Sequence, residues 1–446
     1  MENHNGPYIV IIGGGIAAFA AAIELAELGA KVKLVKVSPG ASGISSGAWD
    51  IADDLNRSSY DAWQDLKPIS HNIFNLIKKN EFHPYAILAA GHESNSFYQY
   101  VHQAVANASD QLPLRMMGVE NQNKIFLTPM GTLKSTAWVQ ASQGGISISE
   151  LKEAKLLVAG VRGYAPFQAR FIRDALEIFL EKQADPPISF TGYLEMEMPG
   201  FEGRTNLSPA ELAHYLDKEE NFVKFGKAIV SYLEGKVYSH LLLPPILGVQ
   251  NSRLIVEALN QITGLQCAES LALPVSIPGL RLENAINRYM NSHNIDIIEG
   301  KVVGFEHLSR RIKYLDVQLD DSVIKIPVKA VILATGKFIG NGIQHQQKFL
   351  EPIFHLPLFY KDQPVQALSS MRLAHAHVQE RQPFNSVGVR INAQTQPLSE
   401  DGDVAFENLF SAGAVIGGAD FAFERCGAGV AIVTGQVAGK NAKNFL

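Results

Sequence analysis

The residues best suited to chemistry in this chain stand near its beginning. Gly13-Gly14-Gly15-Ile16-Ala17-Ala18 matches the pattern G-x-G-x-x-A directly after an apolar run and at the start of a helical one. Gly13 permits a tight turn, Gly15 lets backbone approach a pyrophosphate, and Ala18 allows close packing of helix on strand. The opening amides of the helix, with its positive dipole end, then favour a phosphate group. A nucleotide cofactor is the ligand class this implies.

The same unit departs from its own rule. An acid is expected at the end of the second strand, roughly 20 residues on, to hold ribose hydroxyls, and KLVKV places Lys36 there. Three readings stay open: Lys36 meets a 2′-phosphate, the ribose is held otherwise, or the cofactor is a mononucleotide. A solvated surface lysine is the plain alternative.

Further glycine turns recur along the chain. VILATG ends at Gly336, ENLFSAGAVIGG carries Gly413, Gly417 and Gly418, and Cys426-Gly427-Ala428-Gly429 opens a last small-residue helix. A nicotinamide dehydrogenase needs one such turn. Several, in this order, point to flavin, with the last helix start aimed at the ring's pyrimidine carbonyl.

The elements that must position these residues read as an α/β fold. YIVII is a buried strand, residues 16–28 a helix closed by Gly29, and residues 32–37 a second strand, which completes a Rossmann-like βαβ unit. SPGASGISSGAWD is a small-residue loop, followed by a mixed polar stretch to about residue 125 with helical pieces such as 71–79. A second α/β pattern follows, with strands in LLVAGV, SFTGYLEMEM and HLLLPPILG, a helix opened by Pro166 and another at 251–262. RLENAINRYMNSHN is an amphipathic helix, IDIIEG a strand, and 302–329 a β-meander leading into VILATG. Residues 345–400 read as irregular. The expected division is a discontinuous flavin-binding domain (1–60, 275–345 and 400–446) and an inserted cap (61–274 and 346–399).

Composition narrows the function. The 446 residues carry 39 Lys+Arg against 44 Asp+Glu, and the net charge of −5 argues against a nucleic-acid partner. The two cysteines, Cys267 and Cys426, make a disulfide framework implausible and are too few to hold an iron–sulfur cluster on this chain alone. The uncharged stretch from Tyr8 to Ile23 is short for a bilayer span and is broken by glycines. A cytoplasmic chain is expected, peripheral to a membrane only through a partner.

These segments, with SSGAWDI, TPMGTLKSTAW, VAGVRGYAPFQARF, PGLRLENAI, FLEPIF and CGAGVAIV, make the chain resemble the flavoprotein oxidoreductases of the glutathione-reductase type, in their fumarate-reductase-like branch. Within that branch it is similar to the B subunits of anaerobic glycerol-3-phosphate dehydrogenases. The resemblance implies a three-subunit enzyme that oxidises sn-glycerol 3-phosphate to dihydroxyacetone phosphate. A second flavoprotein subunit and an iron–sulfur, membrane-attached subunit then pass electrons to quinone. It implies FMN on this chain, with FAD as the alternative, and no metal or iron–sulfur cluster. Ala414, where many relatives carry an acid, agrees with FMN.

By the same resemblance Ser45, Ser46 and Gly47 pass near the flavin ring, and Val302 and Thr335 join the cofactor-binding set. Thr132, Lys134 and Ser135 are candidate contacts for substrate or flavin, because a phosphate ester wants a cation and hydroxyl donors. Arg281 and Arg390 are further cations, suited either to binding phosphate or to structural ion pairs, with the structural reading favoured. Oxidation of a secondary alcohol needs a base, and no spacing singles one out among the histidines, His345, His355, His375 and His377 included. No metal set is evident, and Cys426 reads as a packed thiol. Two rival readings are a non-catalytic assembly subunit with a decayed flavin site and a stand-alone FAD oxidoreductase on another small anion. A nicotinamide phosphate enzyme using Lys36 is a third.

Overall fold

Strand β1 (Tyr8–Ile12) is apolar on both faces because it lies inside a sheet covered on both sides. It pairs in parallel with β2 (Val32–Lys36), and between them helix α1 (Ile16–Ala26) completes the expected βαβ unit. The computed structural model describes residues 7–53, 66–90, 94–377 and 380–446. The expected domain boundary at 60/61 lies outside them.

Past the first unit come helices α2 (Ile69–Lys79) and α3 (Pro84–Ala89), and a long helix, Ser94–Gln111, in the stretch that reads only as mixed polar. Strands β3 (Ala154–Val161), β4 (Ile188–Met196), β5 (His240–Leu243) and β6 (Gln266–Glu269) then form an all-parallel sheet in the order β6-β5-β3-β4. The apolar run HLLLPPILG is a strand only as far as Leu243, because Pro244 and Pro245 cannot continue a ladder.

Helix α4 (Ile277–Ser292) starts four residues before the expected RLENAINRYMNSHN. Ser276 caps it by accepting from the Gly279 amide, and Pro278 suits the first turn. Strands β7 (Asp296–Glu299), β8 (Lys301–Leu308), β9 (Arg311–Gln318) and β10 (Val323–Leu333) follow, then β11 (Leu409–Ser411) and the closing helix α5 (Gly427–Lys443).

The larger sheet runs β7-β2-β1-β10-β9-β8, with β11 also on β10. One strand, β10, serves two roles. Its first half closes the antiparallel meander with β9, and its second half is the parallel partner of β1. The meander and VILATG are therefore one continuous strand.

Helices α1 and α5 pack on one face of this sheet at close range. A Cβ at Gly435 would lie 2.4 Å from the Ala17 carbonyl oxygen, and one at Gly439 2.8 Å from that of Ala21. The small residues of the last helix are thus what lets it press on the first. Among the described residues, no helix is long and apolar enough to cross a membrane.

Candidate flavin site

The carboxyl ends of the parallel strands converge on Gly13. Its amide donates to the Val35 carbonyl at 2.8 Å, its φ is +129°, and a Cβ there would lie 2.2 Å from the Ala334 carbonyl oxygen. Only glycine fits where β1 and β10 come this close. A Cβ at Gly15 would meet the Ser42 hydroxyl at 3.0 Å. That hydroxyl accepts from the Ile16 amide at 3.1 Å, so it stands at the N-terminus of α1, where a phosphate would be drawn. Ser42 escapes the sequence reading because its neighbours in GASGISSG look equally generic.

Opposite this turn, Gly336 (φ +74°) follows Thr335, whose buried hydroxyl has no partner. The segment after it folds back so that a Cβ at Gly40 would come within 4.0 Å of the Gly340 Cα. On the Gly40–Gly47 loop, the Ser45 hydroxyl is likewise buried without a partner. Gly47 (φ +93°) lies against the Gln143 carboxamide, whose nitrogen donates to Ser46 O and Ser270 O while its oxygen stays unpaired. Buried polar atoms cost stability when left without partners. Ser45, Thr335 and Gln143, grouped around glycine turns, fit a polar ring system and phosphates.

Other candidates are engaged elsewhere. Lys36 is not a surface lysine: it is 7% exposed, its stem covers Gly14, and its ammonium donates to Asn287 Oδ1 at 2.9 Å, with Glu283 at 3.8 Å. Val302, in the adjoining meander, is buried opposite Val317. Of its two readings, Arg281 takes the structural ion pair. Its guanidinium is buried against Glu269, with Nε donating to Gly248 O, so it is no free cation for a ligand. Arg390 lies between the rings of Phe82 and Phe359 and donates to Lys361 O. Thr132 is exposed and closes a turn with Thr128, whereas Lys134 pairs with Asp50 at 2.7 Å and Ser135 is buried beside it without a partner.

The start of α5 also differs from expectation. The amides of Ala428 and Gly429 both donate to the Asp50 carbonyl, so these two are not open to a ring oxygen. Gly413, Gly417 and Gly418 serve close packing, against Ala17, Gly388 and the Phe82 carbonyl respectively. Of the named histidines, His345 packs on Phe349, His355 lines a separate cavity beside Glu351, and His375 and His377 are exposed.

His83 carries no sequence signal and is fully buried. With Glu424 and Cys426 it brings three ligand-type atoms within 4.8 Å of one another. The Tyr85 amide donates to His83 Nδ1, which leaves the neutral ring's proton on Nε2, the atom facing Glu424 at 3.5 Å and Cys426 at 3.7 Å. Such a ring donates rather than ligates, so the trio is a hydrogen-bonded cluster. Burial pushes the Cys426 thiol well above its ordinary range, helped by Glu424 and Asp50, as a packed thiol should show. Beside it Lys337, donating to Asn385 O, is pushed down to about 8 by burial against the opposing pull of Asp420.

Residues 8–430 match the family described as FAD binding domain. The chain belongs to that family. The match supports a flavin, and FAD specifically; FMN, implied by the resemblance, finds no support, and the pyrophosphate turn at Gly13–Ala18 is the feature FMN would leave without a partner.

Two similar proteins each bear the name of the B subunit of anaerobic glycerol-3-phosphate dehydrogenase. That of Vibrio cholerae is 26% identical, covering 96% of this chain and 94% of the relative, and that of Pasteurella multocida is 27% identical, covering 96% and 97%. Family and relatives' names together support a flavin-dependent dehydrogenase. Solved structures overlay loosely. A 3-ketosteroid Δ1-dehydrogenase from Sterolibacterium denitrificans covers 98% of both chains at 10% identity and a TM-score of 0.41. A flavocytochrome c3 fumarate reductase in an open conformation covers 98% of this chain and 78% of its own at 11% and 0.43.

Proposed function

We propose that the chain is the flavoprotein B-type subunit of an anaerobic glycerol-3-phosphate dehydrogenase. In this reading it takes part in oxidising sn-glycerol 3-phosphate to dihydroxyacetone phosphate and relays electrons toward an iron–sulfur subunit and quinone. The observation that carries the reading is likeness over nearly the full length of both chains to proteins bearing that name. The buried unpaired hydroxyls beside the glycine turns support a working cofactor site over a decayed one.

FAD, when bound, supplies a two-electron acceptor. The backbone from Gly13 to Ala18 and the hydroxyl of Ser42 would hold its phosphates, and Ser45, Ser46, Thr335 and Gly336 would line the rest. The larger sheet and its helices form the flavin-binding part, and the parallel sheet β6-β5-β3-β4 the inserted cap. A second flavoprotein subunit and a membrane-attached iron–sulfur subunit complete the complex and hold this chain at the inner face of the membrane; among the described residues no helix is long and apolar enough to cross it.

The deciding experiment is to release the cofactor from purified protein by denaturation and weigh it, then assay glycerol 3-phosphate-dependent dye reduction by the chain with its candidate partners. FAD mass and partner-dependent turnover are expected. A chain that neither retains nor takes up flavin would return the reading to an assembly subunit.

A further inference from the structure

A polar cavity of about 670 Å³ opens between α2, the 360–386 segment and the stretch after Gly418. One face of α2 lines it. Asn72, Asn75, Leu76 and Lys79 fall at i, i+3, i+4 and i+7, the spacing that puts residues on one side of a helix. Asn72 is 1% exposed, and neither its amide nitrogen nor its oxygen has a partner. A buried carboxamide with both ends open is costly in a folded protein, and it suits a group that both donates and accepts, as a hydroxyl does.

The lining carries both signs of charge. The buried carboxylates of the lining are engaged within the protein: Glu424 lies 3.6 Å from Arg381, Asp53 lies 3.5 Å from Arg425, and Asp420 accepts from the Phe423 amide. Lys79 and Lys361 are exposed, as is Glu81, and among the described residues no carboxylate lies in ion-pair reach of either ammonium. The cavity also touches Gly418, on the last glycine turn of the flavin part. With the carboxylates engaged elsewhere or exposed, the open Asn72 carboxamide and the two unpaired ammonium groups suit a hydroxylated chain ending in a phosphate.

We propose that this cavity binds a short polyol phosphate, with its hydroxyl end on Asn72 and its phosphate between Lys79 and Lys361. The assignment rests on the proposed function for the identity of that ligand, sn-glycerol 3-phosphate, but not for its chemical class.

The test is calorimetric titration of the flavin-loaded chain with sn-glycerol 3-phosphate, with ribose 5-phosphate and inorganic phosphate as further probes. The same titrations are run on Asn72→Leu and on the double variant Lys79→Gln/Lys361→Gln. The wild type should bind sn-glycerol 3-phosphate, and each variant should lose about tenfold or more in affinity. Asn72→Leu should melt no lower than the wild type, because it removes two unpaired polar atoms, whereas a purely structural Asn72 would make it melt lower. If Asn72→Leu fails to fold, the double lysine variant carries the comparison. Wild-type affinity retained in both variants overturns the cavity while leaving the proposed function intact. Binding of ribose 5-phosphate but not sn-glycerol 3-phosphate, lost in the variants, upholds the cavity and overturns the functional reading. Binding of none of the probes, or of inorganic phosphate as tightly as the polyol phosphates, overturns the cavity assignment.

Discussion

Arg281 and Glu269 meet in a two-pronged ion pair, at 2.7 and 2.9 Å, with both side chains almost wholly removed from solvent. Arg281 belongs to α4 and Glu269 ends β6, so the pair joins that helix to the second sheet. Ser142 and the Leu247 amide donate to the same carboxylate, and Gly248 O accepts from the guanidinium. Every strong polar atom of the pair is therefore engaged within the protein.

Removing one partner strands the other as a buried charge. Arg281→Met should lower unfolding free energy by about 3–5 kcal/mol in a urea titration. Arg281→Met/Glu269→Leu should recover a large part of that loss, because two apolar side chains avoid the desolvation penalty altogether. Equal destabilisation by the double and the single variant would show that the lone charge is not the cause.

Lys337 gives stability a definite pH dependence. Its folded value of about 8 lies below the ordinary 10.5, because burial disfavours the ammonium. Between those values the unfolded chain binds a proton that the folded chain does not, so this residue makes stability rise with pH across that window. Below about pH 8 both states are protonated and its slope vanishes. Lys337→Met should thus be more stable than the wild type at pH 7.5, by an advantage that shrinks by up to about 3 kcal/mol by pH 10.5. Urea midpoints of the two proteins at both ends of the window check this.

What could be read in the sequence divides along a physical line. The turn at Gly13–Ala18, the helix on Ile16 and the strands on either side announce themselves through local pattern, because backbone geometry and burial act on neighbours in the chain. Arg281 and Lys36 could not be placed, since a cation's role depends on which carboxylate or amide the fold brings to it. Glu269 lies 12 residues from Arg281, whereas Asn287 lies 251 from Lys36. His83 and Asn72 were equally silent, as burial rather than residue type sets them apart. The capping of α5 by the Asp50 carbonyl is a backbone contact across the whole chain and leaves no side-chain signature.

Gly13 and Gly29 separate steric need from conformational preference. Both have positive φ, but a Cβ at Gly13 strikes the Ala334 carbonyl, while one at Gly29 meets nothing within 4 Å. Gly29→Ala should cost about 1–2 kcal/mol and keep bound flavin. Gly13→Ala must push β1 from β10 at the pyrophosphate turn, and purified protein should lack the flavin absorbance band. A fully flavin-loaded Gly13→Ala protein would show that the turn is not the cofactor's seat.

Both thiols should resist alkylation in the folded state. Burial pushes Cys267 to about 11 and holds Cys426 well above its ordinary range, so neither offers thiolate near neutral pH. Iodoacetamide at pH 8 should leave the native chain unlabelled and add two adducts after unfolding, as read by intact mass. Rapid native labelling would show that the core around His83 or β6 opens.

Lys36 supplies the sharpest distinction between holding a cofactor and holding the fold. Its ammonium reaches Asn287 and Glu283 on α4, so its polar end secures β2 to that helix rather than standing free for a 2′-phosphate. Lys36→Met keeps the apolar stem over Gly14 and loses only that tie. It should lower stability by about 1–3 kcal/mol, the range for leaving buried hydrogen-bond partners unmet, and leave the ratio of FAD to protein unchanged. Lys36→Glu should be worse, because it sets a second carboxylate against Glu283. Thermal melts give the first quantity and the flavin-to-protein absorbance ratio the second. Loss of FAD from a Lys36→Met protein that melts like the wild type would reverse the assignment and make Lys36 a cofactor ligand.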